Sequence, residues 1–118
     1  MYINEVIIAG PLSEDPKAFI LPKGTHKAVM QLVLTRTYEY GGEQREETSI
    51  VPVIAWARTA DFCTANLKKG DPVLVIGRLS IREYEKEGKP QRVTEVVAET
   101  VQALGKPLET RTGTGVYV

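Results

Sequence analysis

At 118 residues, 42% of them hydrophobic, the chain has the length of one domain built on a single core and does not support two. Lys and Arg number 15 and Asp and Glu number 15, so the net charge of +0 excludes a globally basic surface and leaves any electrostatic attraction to local patches. The single cysteine, Cys63, rules out an internal disulfide and an all-cysteine metal cluster and fits a reducing compartment, and no apolar run approaches the roughly 20 residues of a spanning helix, so an unexported, cytoplasmic protein is expected.

In chain order, a β-branched run at 6–9 predicts the first strand, and Gly10-Pro11, Asp15-Pro16 and Pro22-Lys23-Gly24 predict turns after it. A long run at 28–37 predicts the second strand. Residues 37–48 form a polar hairpin turning at Gly41-Gly42. The third strand, 49–56, alternates Val51, Val53 and Ala55 on one face with Ile50, Pro52, Ile54 and Trp56 on the other. Both faces are apolar, so each requires cover. Pro52 donates no ladder hydrogen bond and is expected beside an edge or a bulge. One short helix is predicted at 60–69, with Thr59 as N-cap and Gly70 as the stop. Strands at 72–79 and 92–104 follow, joined by a second hairpin at 82–92 that turns near Gly88. Residues 106–118 are Gly/Thr-rich and are expected as a loose tail after a folded unit of 1–105. Five strands with one helix between the third and fourth give an all-β class, a five-stranded Greek-key barrel of the oligonucleotide-binding (OB) type with long hairpins, whose closure removes most sheet edges.

Chemistry-bearing residues are few. His26, the only histidine, falls in the "PKGTHK" turn and reads as a solvated side chain. Cys63 lies inside the predicted helix with no histidine near it and reads as buried and inert. The acid pairs Glu46-Glu47 and Glu14-Asp15 are the only metal candidates, and the second shapes a turn before Pro16. No Gly-rich loop leads from a strand into a helix. No enzyme, cofactor or metal is expected. The charge is uneven, however. Lys17, Lys23, Lys27 and Arg36 lie between Asp15 and Glu39 without an acid, and Lys68, Lys69, Arg78 and Arg82 surround Asp71 alone, so a basic track is possible at zero net charge.

Three segments, "NEVIIAGPLSEDPKAFILPKGTHKAVMQLVLT", "LKKGDPVLVIGRL" and "TEVVAETVQAL", in this order and spacing, resemble the OB domain of the bacterial single-stranded DNA-binding proteins. The resemblance covers residues 4–104. It implies a non-enzymatic, sequence-independent grip on single-stranded DNA in replication, recombination or repair, with aromatic faces for bases and cations for phosphates. Tyr40, Trp56 and Tyr84 match the family's stacking aromatics, and Arg58, Lys69 and Arg82 match its basic positions. Lys27 and Arg36 of the local basic track complete the expected DNA-binding set. The chain departs from the family at Ile50, where an aromatic is usual, and at Pro52 and Phe19, where Arg is frequent. The resemblance also implies a homotetramer, sometimes a dimer, and association with replication and repair proteins. The family's acidic, Phe-ended tip has no counterpart in "TGTGVYV", which suggests a short paralogue, a phage or plasmid form, or a shortened chain. The alternative is an OB-fold primosomal adaptor that acts mainly through protein partners, which Ile50 and the neutral charge would suit.

Overall fold

A computed structural model describes residues 1–105; the expected tail, 106–118, lies outside the described residues. The elements are β1 (Val6–Pro11), β2 (Lys17–Ile20), β3 (His26–Tyr40), β4 (Glu43–Trp56), α1 (Ala57–Asn66), β5 (Pro72–Lys86) and β6 (Lys89–Ala103). They form one sheet in the order β1-β5-β6-β4-β3-β2, curled into a half-barrel. Neighbours pair antiparallel except β4 and β6, which run parallel over Val53↔Val96 and Ile54↔Val97.

Alternation makes the curl. Ala28, Met30 and Leu32 of β3, Val53 and Ala55 of β4, Val73 and Val75 of β5, and Val96 and Ala98 of β6 all point inward and are buried. Ala60, Cys63 and Leu67, from α1 and the residue after it, plug this core. Burial pushes the Cys63 thiol up to about 11, so it stays protonated at neutral pH. Two glycines are demanded by close backbone approach. A Cβ on Gly10 would overlap the Val33 carbonyl where β1 crosses β3, and one on Gly77 would overlap the Val97 carbonyl opposite the bulge that Glu99 makes in β6. Beyond Gly10, Leu12 bridges to Leu32, and the Ser13 N–H donates to the Gln31 carbonyl at 2.9 Å, drawing β1 against β3. That carbonyl needs no donor from Pro52, its register partner, and Pro52 stands one residue before the β4–β6 ladder begins. The β1–β5 pairing is continued by a side chain, for Asn4 both donates to and accepts from the Leu79 backbone at 2.8 Å.

Two expectations need correction. There are six strands rather than five, because 17–20 is a strand and not a stretch between turns; every residue of β2 is exposed, so no apolar alternation announces it. The two expected long hairpins are present as continuations of the ladders, which run unbroken to Tyr40↔Glu43 and Lys86↔Lys89. The helix starts at Ala57 rather than after Thr59, with Trp56 as an N-cap lacking a side-chain hydrogen bond, and it ends before Leu67 rather than at Gly70. Ala57 makes this abrupt start by taking a positive φ of 54°. Gly70, also at positive φ, instead forms the turn into β5, its N–H donating to the Leu12 carbonyl at 2.9 Å.

Candidate functional site

The register decides which of the expected residues can act together. On the outer side of the sheet β3 presents Lys27, and its partner across the ladder is Trp56 of β4. The Lys27 ammonium stands 5.5 Å from the centroid of the Trp56 ring, which is 38% exposed. A cation held over an exposed ring contributes about 0.5–1 kcal/mol and fixes both groups. The parallel pair Ile54↔Val97 continues this outer face into β6, and Arg78↔Val97 carries it into β5. Alternation along β5 then brings Arg82 and Tyr84 to the same side as Arg78. Lys27, Trp56, Arg82 and Tyr84 therefore share one face, although they lie far apart in the chain.

Arg82 is not a free cation. Its Nε donates to Glu95 Oε1 at 3.1 Å, and Glu95 is a largely buried carboxylate, 8% exposed, on the neighbouring strand. The guanidinium keeps about half of its surface in solvent, with Tyr84, 42% exposed, two residues on. The pair anchors Arg82 while leaving donors available to an anion.

Tyr40 and Arg36 belong to a second group. Alternation places them on the opposite side of the β3–β4 ribbon from Trp56, where Arg36 lies 5.1 Å from the Tyr38 ring and Arg45 lies 5.4 Å from the Tyr40 ring. Arg36 Nε also donates to Glu47 at 3.3 Å. Arg58 is exposed in the first turn of α1, beside Phe62 and Glu99. Lys69 lies in the loop after α1, where its backbone N–H donates to Asp15 at 2.7 Å, and belongs to no strand of the outer face. His26 is tied rather than free: Asp61 of α1 accepts from its ring nitrogen at 2.6 Å, clipping the start of β3 to the helix.

The two-sided strand behaves unevenly. Val53 and Ala55 are core, and Val51 packs against it. On the outer side Ile54 is covered within the chain, whereas Ile50 is 56% exposed. Phe19, outside the expected set, is also exposed on this side, since it pairs with Lys27. No local signal in the sequence announces it, since every residue of β2 is exposed.

A curled sheet with a helix between β4 and β5, and aromatic and cationic side chains on its outside, defines an OB-fold binding protein. Comparison with known proteins agrees. The profile of the "Single-strand binding protein family" matches residues 3–104. A single-stranded DNA-binding protein of Aquifex aeolicus is 37% identical over 106 residues, covering 89% of this chain and 72% of that one. Single-stranded DNA-binding protein A of Bacillus subtilis is 35% identical over 116 residues, covering 98% and 67%. Among solved structures, the Thermus aquaticus single-stranded DNA binding protein superposes with a TM-score of 0.79 at 28% identity, over 87% of this chain and 51% of its own. The Plasmodium falciparum protein in complex with ssDNA gives 0.83 at 20% identity, over 89% and 97%, a likeness of fold. The chain belongs to the single-strand binding protein family.

Proposed function

We propose that this protein binds single-stranded DNA without reading its sequence and protects it during replication, recombination or repair. The carrying observation is the outer face itself, where Lys27 over Trp56 and Arg82 beside Tyr84 alternate cation and ring along one surface of a family member. Rings of this kind take any base, since every base has a π-face, and the cations take the phosphates between them. Tyr40 and Arg36 extend the path for a strand that passes round the edge of the β3–β4 hairpin; Arg58 and Lys69, at the two ends of α1, are outlying cations. The names of the relatives support the same ligand.

The assembly is a homo-oligomer, a tetramer or else a dimer. Two surfaces call for cover: Ile50 at 56% exposure on β4, and the edge strand β1, paired with β5 and carrying Ile7 at 65% exposure. Ile50 also favours the second reading, an adaptor whose outer face meets another protein. Anisotropy of a fluorescein-labelled dT oligonucleotide, measured at two salt concentrations with unlabelled duplex as competitor, separates the two. Tight, salt-weakened binding that duplex does not displace supports the first. No binding of the oligonucleotide refutes it.

A further inference from the structure

Phe19 has no evident structural reason to be aromatic. It lies on β2, a four-residue edge strand without one buried side chain, so the strand carries none of the core. Its ring is 48% exposed; the covered part lines a hollow of about 240 Å³ between β2, the start of β3 and α1. Exposed apolar surface at a sheet edge is a liability that proteins ordinarily blunt with charge.

The registers show what the ring stands beside. Phe19 pairs with Lys27, and Lys27 pairs with Trp56, so the three side chains form one row across β2, β3 and β4 on the outer face. Adjacent strands lie about 4.7–4.9 Å apart, which sets the two aromatics roughly 10 Å from each other with the ammonium between them. A cation flanked by two exposed rings matches a dinucleotide step, with a base for each ring and the connecting phosphate for the cation.

We infer that Phe19 is a second base-stacking platform, and that Phe19, Lys27 and Trp56 together hold two successive nucleotides with their shared phosphate at Lys27. This rests on the proposed binding of single-stranded DNA. The spacing adds a consequence for selectivity. Stacked bases rise by about 3.4 Å per step, so two bases set roughly 10 Å apart are unstacked from one another. A duplex holds its bases stacked and cannot supply that geometry without melting.

The test combines a dT oligonucleotide carrying 5-iodouracil, irradiated on the wild-type oligomer and mapped by mass spectrometry, with anisotropy titrations of Phe19→Leu and Phe19→Trp. Crosslinks at both Phe19 and Trp56 are expected. Phe19→Leu should weaken binding by about five-fold or more, the lower end of the effect of losing one stack, with an unchanged salt slope because no charge is removed. Phe19→Trp should restore wild-type affinity. If the wild type binds but crosslinks at Trp56 and not Phe19, or if Phe19→Leu binds as tightly as wild type, this inference alone is overturned. If the wild-type protein does not bind the oligonucleotide, the underlying reading falls and takes this one with it.

Discussion

Replacing Trp56 with leucine separates stacking from packing. The ring is 38% exposed, so rather more than half of it is covered by its own chain. An aromatic side chain of this kind buries about 150–250 Å², and covered apolar surface contributes about 25 cal/mol per Å², so outright loss of the packed part would cost about 2–4 kcal/mol. Leucine retains over half of that cover, and the expected loss of stability is about 1–2 kcal/mol, read as a lower urea midpoint with unchanged slope. The exposed part is what a base can use. Losing that stack should cost about 1–3 kcal/mol of binding, or about five- to 150-fold in affinity for oligo-dT by anisotropy. Trp56→Phe, which keeps a π-face, should recover most of it. A Trp56→Leu protein that is folded and binds oligo-dT like the wild type would refute the stacking role; one that fails to fold would make Trp56 a core residue.

Lys27→Ala should reduce the slope of log K against log salt by about 0.7, the share of a single neutralised phosphate. Gly77→Ala drives a Cβ into the Val97 carbonyl and should destabilise by about 1–3 kcal/mol in chemical denaturation. Ala57→Gly relieves a left-handed residue at the β4–α1 junction, a conformation that costs about 1–2 kcal/mol for an L-residue, and against the greater entropy of an unfolded glycine the net gain should be up to about 1 kcal/mol in thermal or urea melts. The buried thiol gives a pH dependence of known sign. Cys63 keeps its proton to about 11 when folded but loses it near 8.5 when unfolded, so its contribution is fully present below pH 8.5 and stability falls as pH rises from there to about 11, by up to about 1.4 kcal/mol per unit. Cys63→Ala should remove that part of the slope in urea melts between pH 8 and 11.

The β4 alternation predicted its core face, and Val53 and Ala55 are fully buried as that pattern requires. The helix was legible as an element in the right slot, but its start was not, because no capping residue marks it and an alanine at positive φ makes the turn instead. β2 was illegible for a physical reason: an edge strand held by backbone pairing alone imposes no hydrophobic period. Trp56 and Tyr84 were singled out individually by their match to the family. Their surroundings were not, since cross-strand partners depend on register. Nothing local in the sequence says that Lys27 lies over Trp56, that Arg82 is tied to the buried Glu95, or that Tyr40 faces away from Trp56.

The chain has one tryptophan, and it stands in the middle of the proposed face, so its emission reports on that face alone. Titrating the wild-type protein with poly-dT at low salt should quench Trp56 fluorescence to saturation, and raising the salt should reverse the quench as counterions compete for the phosphate path. Unchanged emission while an independent probe shows DNA bound would place the strand elsewhere on the molecule and contradict the account.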